Sequence, residues 1–221
     1  PLNAEVPAPS RPSTERVLRV DGEEDHLRVP HASFELPDGP MTLECWFNAA
    51  SYGSRTGLVT KTENSDYGFF VNNGVPSFYI FLGDRYVAVR DEALTLETDR
   101  WYHIAGVYDG RETRLYIDGE LVATEARSAA RRTNELPLMI GADVSGRGEP
   151  MSHFRGMIDE VRLSRTARYA GESFRPRRRF EADGATVLLF HMDGVSGPWM
   201  YDAGTGAHAF IGSEAEVVLP R

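Results

Sequence analysis

The chain of 221 residues contains one cysteine, Cys45. No intramolecular disulfide can form, so the fold must be held by burial and hydrogen bonding. Cys45 sits in a strand-like run and reads as a buried structural thiol, because a free cysteine packs as a small hydrophobe. A catalytic cysteine would need a basic neighbour to generate its thiolate. No apolar run approaches the roughly 20 residues of a membrane-spanning helix, which argues against membrane insertion. Lysine and arginine total 24 against 33 aspartates and glutamates, a net charge of −9. That balance lacks the cationic surface with which a general nucleic-acid binder meets phosphate. Catalytic signatures are missing too: there is no H-E-x-x-H, C-x-x-C, P-loop or G-x-S-x-G. The chain opens at Pro1 without a recognisable leader, as expected of a mature or trimmed chain.

What is present is a succession of short apolar runs separated by turn dipeptides. Residues 99–122, DRWYHIAGVYDGRETRLYIDGELV, carry the strongest signal. Trp101 to Tyr108 is aromatic and β-branched. Asp109-Gly110 then suits a turn needing positive φ, Thr113 to Ile117 resumes the strand pattern, and Asp118-Gly119 turns again. Upstream, Met41 to Asn48 reads as a strand with Leu43, Cys45 and Phe47 on one face and Glu44 and Trp46 on the other. Tyr67 to Val71, Ser77 to Leu82 and Tyr86 to Val89 form a meander through Asn72-Asn73-Gly74 and Gly83-Asp84. Strands at intervals of about ten residues predict an all-β, two-sheet antiparallel β-sandwich or jelly roll. Thr166 to Gly171 reads as a short helical turn, and Arg175 to Arg179 as a solvated basic run. Residues 1–13, rich in proline and small side chains, read as a linker or disordered tail. Residues 14–221 read as a single domain. Residues 185–221 are too few to build a core of their own. They are expected to close the same sandwich, with Thr186 to Met192 beside the N-terminal strand.

Three ordered stretches resemble laminin-G-like domains of the concanavalin A-like lectin/glucanase superfamily. They are the hairpins at 99–122, F-R-G-M-I-D-E-V-R-L-S-R-T-A-R at 154–168, and V-D-G-E-E-D-H-L-R-V at 20–29 together with M-T-L-E-C-W-F at 41–47. The resemblance implies a concanavalin A-like sandwich. It further implies a non-catalytic module of a larger secreted or cell-surface protein, extracytoplasmic, that binds a glycan or extracellular polymer. A protein-interaction module without a sugar site is the alternative, since this fold hosts both. Sugar contacts would come from Trp46, Tyr67, Asn72, Tyr79, Arg85, Asp143 and His153; Trp46 could equally be packing beneath a loop. Calcium, held by oxygen ligands, would be placed by the resemblance at Asp21, Gly22 and Asp159, between the first strand and the late I-D-E-V-R strand. Glucanases of the superfamily resemble E-I-D-x-x-E, with alternate acids on one face. Here Asp159 and Glu160 are adjacent and point to opposite faces, and Glu44 stands alone on its strand, so hydrolysis of that type is not expected.

Overall fold

The computed structural model describes residues 16–204, 206–212 and 215–219; the proline-rich segment 1–13 lies outside them. In chain order the strands are β1 (Val17–Asp21), β2 (His26–Val29), β3 (Met41–Ser51), β4 (Gly57–Thr60), β5 (Tyr67–Asn72), β6 (Val75–Leu82), β7 (Arg85–Val89), β8 (Trp101–Tyr108), β9 (Glu112–Ile117) and β10 (Glu120–Ala126). They continue as β11 (Leu138–Ile140), β12 (Asp143–Val144), β13 (Pro150–Met151), β14 (Arg155–Ser164), β15 (Thr186–Phe190), β16 (Val195–Ser196), β17 (Trp199–Tyr201), β18 (His208–Gly212) and β19 (Glu216–Val218). The first sheet runs β10-β9-β8-β3-β14-β1-β19, with β15 also on β14; the second runs β16-β17-β18-β2-β11-β4-β5-β6-β7. Pairing is antiparallel throughout both. The all-β two-sheet sandwich expected from the turn spacing is the fold observed.

Alternation along each strand builds the core between the sheets. Leu43, Cys45 and Phe47 of β3 face inward, as their spacing predicts, and meet Phe69, Phe78 and Ile80 of the second sheet in one buried cluster. Burial pushes the Cys45 thiol pKa up, which keeps it protonated and inert. At Gly106 on β8 the opposite sheet comes into close contact. A Cβ there would lie 2.4 Å from Cγ of Phe78, so only glycine lets that ring seat against the opposite strand.

The C-terminal segment contributes to both sheets: β15 pairs with β14, β18 with β2 and β19 with β1. Thr186 to Met192 was expected beside the N-terminal strand; the strand found there is β19, and Thr186–Phe190 lies along the second half of β14. A bulge makes room for it. Between Asp159 and Arg162 the register of β14 shifts, and Glu160 adopts φ +53°. Before the bulge β14 pairs with β1, and after it with β15.

The outer face of the first sheet is roofed by residues 165–185. This strap is extended and bent; the helical turn expected at Thr166 to Gly171 does not form. It is fixed by Phe174 N–H to Gly119 O (2.9 Å), Tyr116 Oη–H to Gly171 O (3.0 Å) and Phe180 N–H to Glu160 Oε2 (2.7 Å). Beneath it a buried polar cluster centres on Glu44. Its carboxylate accepts from Arg162 Nε (2.9 Å) and Tyr169 Oη (2.8 Å) and meets His103 Nε2 at 3.2 Å. Burial alone would raise the Glu44 pKa. The hydrogen bond with His103 and the charge of Arg162 outweigh it and hold the carboxyl below its ordinary value.

Two outcomes are expected. Gly106→Ala forces a methyl into the Phe78 ring and should cost about 1–3 kcal/mol, read as a lower denaturant midpoint. Glu44→Gln leaves the buried Arg162 guanidinium without its counter-charge and should cost about 3–5 kcal/mol at neutral pH. Because the folded Glu44 pKa is depressed, its contribution is complete above the ordinary glutamate value of 4.5. It is lost as pH falls through the folded pKa. Midpoints measured from pH 7 into the acid range should therefore fall more steeply in the parent than in Glu44→Gln.

Candidate functional site

The strap covers the Trp46 and Glu44 region of the first sheet's outer face, and the outer face of the second sheet carries an open cleft floored by aromatic side chains. Two tight hairpins set which residues stand there. Asn73 (φ +50°) and Gly74 (φ +86°) make the two-residue turn that pairs Asn72 with Val75. Gly83 (φ +68°) opens the turn that pairs Leu82 with Arg85. These registers send Phe69, Phe78, Ile80 and Val87 into the core. They leave Phe70, Tyr79, Phe81 and Tyr86 on the outer face. The four rings make a run of edge-to-face contacts: Phe70–Tyr79 5.3 Å, Tyr79–Tyr86 6.0 Å and Tyr86–Phe81 5.0 Å between centroids.

Around this floor lies a cleft of two lobes that share Asn72 and Tyr79. One lobe, of about 200 Å³, is walled by Arg55, Thr62, Glu63, Asn64, Phe70 and Tyr86. The other, of about 260 Å³, is walled by Asn73, Val75, Ser77, Arg90 and Glu92. The polar wall is braced from behind. Asp143, itself buried, accepts from Arg55 Nη2 (2.5 Å), from Thr62 Oγ1 (2.9 Å) and from the Val144 N–H (2.9 Å). Arg55 also lies over the Phe70 ring, 4.8 Å from its centroid. The 62–66 loop carries Glu63, Asn64 and Asp66 at positive φ. Tyr86 Oη pins it, accepting from the Glu63 and Ser65 N–H groups and donating to Ser65 O.

Lys61, the only lysine in the sequence, anchors the same loop from beneath. Its ammonium donates to Asp66 Oδ2 (2.7 Å), Asn134 O (2.6 Å) and Asn134 Oδ1 (2.7 Å). Burial pulls its pKa down while Asp66 pulls it back up. Asn134 Nδ2 returns hydrogen bonds to Lys61 O and Ser65 Oγ. The rim is thus held by the buried Lys61–Asp66 pair and by the buried Asp143 carboxylate on Arg55, and not left to loop flexibility, as a preorganised binding wall requires.

Chemically the cleft offers an aromatic floor with donors and acceptors interleaved. Asn72 Oδ1 accepts from the Thr56 N–H, leaving its amide NH2 to donate. Tyr79 Oη accepts from Arg90. The carboxylates on its walls are separated: Glu63 lines one lobe and Glu92, paired with Arg90, the other. A facing pair about 5 Å apart, as retaining glycoside hydrolysis needs, is not among the described wall residues.

Of the residues singled out from sequence, Asn72 and Tyr79 sit at the junction of the lobes, and Asp143 stands behind the wall as a positioning residue. Arg85 is exposed on the same meander but outside the cleft. Trp46 and Tyr67 are corrections. Trp46 points away from the main core, as its alternation says, but the strap covers it completely, with its indole N–H on Arg177 O (3.1 Å). Tyr67 faces inward and is 1% exposed. Neither can offer a ring face to a ligand. His153 lies elsewhere, 6.1 Å from His26, and its pKa is lowered by burial and by His26.

The set Asp21, Gly22 and Asp159 does not assemble. Asp21 pairs with Arg155, so Asp159 lies four positions further along β14, about 13 Å away at the strand rise. Asp21 Oδ1 is spent on the Glu23, Glu24 and Asp25 N–H groups, which lowers its pKa. Asp159 is fully buried with Oδ1 on the Glu160 N–H. Among the described residues no group of three His, Cys, Asp or Glu side chains is placed to hold a metal ion. These donors do not fit calcium. A larger groove, of about 940 Å³, borders Arg19, Asp21, Asn48, Asp99 and Arg155. It runs over the first sheet between β14, β1 and β19, with Val218 and Leu219 on its border.

Arg55, Thr62, Asn64, Phe70 and Tyr86 complete the cleft and were not singled out from sequence. For Phe70 and Tyr86 a signal exists: the two hairpin turns fix pairing sums that place both on the face of Tyr79. For Arg55 and Thr62 the signal is tertiary, because Asp143 joins them across more than eighty residues.

A laminin-G profile of the Concanavalin A-like lectin/glucanases superfamily matches residues 21–172. Mouse pappalysin-1 is 31% identical over 183 residues, covering 72% of this chain. The chain spans 11% of the length of that relative. Among solved structures, a candidate carbohydrate-binding protein from Bacteroides ovatus superposes with a TM-score of 0.75 at 19% identity, covering 96% of this chain and 61% of that one. The CBM40 of the Ruminococcus gnavus IT-sialidase, bound to α2,3-sialyllactose, superposes with a TM-score of 0.54 at 16% identity, covering 69% of this chain and 91% of that one. Profile, relative and architecture agree: the chain belongs to the concanavalin A-like lectin/glucanases superfamily, with a laminin-G-like sandwich.

Proposed function

We propose that the chain is a non-catalytic carbohydrate-recognition module that holds a glycan in the two-lobed cleft on the outer face of the second sheet. The observation that carries this reading is the juxtaposition of the half-buried Tyr79 and Tyr86 rings, backed by the buried Phe70 under Arg55, with a polar wall fixed by Asp143 and Lys61. A sugar ring presents both an apolar face and a fan of hydroxyls. The aromatic floor matches the first, and Arg55, Asn64, Asn72 and the tyrosine hydroxyls match the second. The wall is ordered before any ligand arrives, so little conformational entropy is lost on binding. The separated carboxylates support binding without hydrolysis. Similarity to carbohydrate-binding folds supports the same class.

The module belongs, in this reading, to a larger extracytoplasmic protein, which the match to a short stretch of pappalysin-1 and the laminin-G family support. Among the described residues no helix is long and apolar enough to cross a membrane. This reading places no calcium at Asp21, Gly22 and Asp159, whose separation along β14 keeps them from sharing an ion.

The test is a glycan array probed with the purified chain, with calcium and with chelator. Binding should occur and survive chelation. Tyr79→Ala, which removes the residue shared by both lobes, should weaken affinity for the bound glycan by roughly tenfold or more. Asp143→Asn should weaken it less, by loosening Arg55, with the thermal midpoint recorded to separate binding from folding. Absence of binding across a broad array, or affinity indifferent to Tyr79→Ala, contradicts the proposal. A protein-interaction module would give that result.

A further inference from the structure

The outer face of the second sheet carries aromatic side chains at both ends. At the far end from the cleft, the β17–β18 hairpin exposes Trp199 (42%), Tyr201 (43%) and Phe210 (41%). They are ordered by pairing. Trp199 sits opposite Phe210 and Tyr201 opposite His208, with ring centroids 5.5 and 4.8 Å apart in edge-to-face geometry. The intervening residues Met200 and Ala209 point into the core and hold the hairpin down. Such a display of large rings on solvent is unusual in this chain, whose other aromatics are mostly buried, and it is stabilised by nothing the fold itself needs.

The next strand adds a cation. Arg28 of β2 pairs across the ladder with Phe210 on one side and Met139 on the other. Its guanidinium reaches the Gly148 turn, with Nη2 3.6 Å from where a Cβ would stand on that glycine. That turn belongs to the β12–β13 ridge. Beneath the ridge, Met139, Ala142 and Val144 pack together, and they separate the hairpin from the cleft. The same ladder row continues from Met139 through Thr60 and Gly68 to Tyr79. Five strand spacings from Phe210 to Tyr79 make about 24 Å, so the two aromatic sites are distinct.

We infer that the Trp199–Phe210 and Tyr201–His208 pairs, with Arg28 at their edge, form a second glycan site that takes a sugar bearing a carboxylate. The rings supply a stacking platform with polar tips in the indole N–H, the phenol and the imidazole. Arg28 supplies the planar fork that a carboxylate fits. Size argues for a small ligand over a second copy of the chain. Each of these large aromatics carries roughly 150–250 Å² of surface. At about two-fifths exposure, three of them offer about 250 Å², well short of the roughly 800 Å² per partner of a stable protein interface. The proposal deepens the carbohydrate reading but stands on different residues from the cleft.

The experiment uses oligosaccharides ending in a uronic or sialic acid, each beside its neutral parent, titrated into the chain carrying Tyr79→Ala so that the cleft does not contribute. Acidic glycans should bind better than their neutral parents. Trp199→Ala with Phe210→Ala should lower that affinity by roughly tenfold or more. Arg28→Gln should abolish the preference for the acidic glycan while retaining binding of the neutral one. Trp199 and Phe210 are exposed and Arg28 is half-buried, and an unchanged thermal midpoint shows that the variants are folded. The inference is overturned if acidic and neutral glycans bind alike, or if the double variant binds as tightly as its parent. It is also overturned if the tyrosine variant binds no glycan while the parent does, which leaves the cleft reading intact. A concentration-dependent dimer in sedimentation that the double variant loses would overturn it as well, by giving the platform to a second copy.

Discussion

What the second sheet presents at the cleft depends on the register of one meander. Asn73-Gly74 and Gly83-Asp84 close β5–β6 and β6–β7 in turns that permit no spare residue. Side chains alternate along a strand, so a slip of one position would exchange faces. Phe69, Phe78 and Ile80 would go to water, and Phe70, Tyr79 and Tyr86 into the core. The hydrophobic cost of that exchange is what keeps the aromatic row outside. The same alternation gives the protein a stable core and a patterned surface, because each apolar residue sent inward fixes the direction of its neighbour.

The two sheets treat their outer faces differently, and that division places function. The first sheet buries charge beneath a strap: Glu44, His103, Arg162 and Tyr169 meet where water is excluded. Ions in such a position are costly to desolvate and are tolerated when they are paired. Glu44 and Arg162 pair with each other, the strap adds Tyr169 to the first and the Glu181 carbonyl to the second, and with Phe174 and Phe180 it covers this part of the face. The second sheet is only partly covered, by the β12–β13 ridge. Its buried ions, the Lys61–Asp66 pair and the Asp143 carboxylate that holds the exposed Arg55, lie under the rim of an open cleft. The same physical device locks a roof in one place and braces a binding wall in the other.

Much of this was legible in the chain. The Asp-Gly turns located β8, β9 and β10, and Trp101–Tyr108 was bounded as observed. The inward set of β3 followed from alternation. Asn72 and Tyr79 were among the candidates that the family resemblance places around one sheet or its rim; alternation alone did not separate the open face from the core, because several strands are apolar on both faces. What sequence could not show was cover. Trp46 does point away from the main core, but nothing local reveals that residues 165–185 fold across it. Asp21 and Asp159 fall in the strands that the family resemblance selects. Their separation follows from the β1–β14 register, a long-range pairing that no local pattern encodes. The C-terminal hairpin with Trp199 and Phe210 was expected only to close the sandwich. Its outward aromatics become meaningful once β18 is seen to pair with β2.

The central claim is that a glycan occupies the cleft at Tyr79. Amide and aromatic chemical shifts followed during titration with the tightest array ligand test it most directly. The expected result is a contiguous set of saturable shifts at Asn64, Asn72, Tyr79 and Tyr86, with the strap around Trp46 unmoved. Saturable shifts confined to the groove at Asp21 and Arg155, with the cleft residues silent, would contradict it.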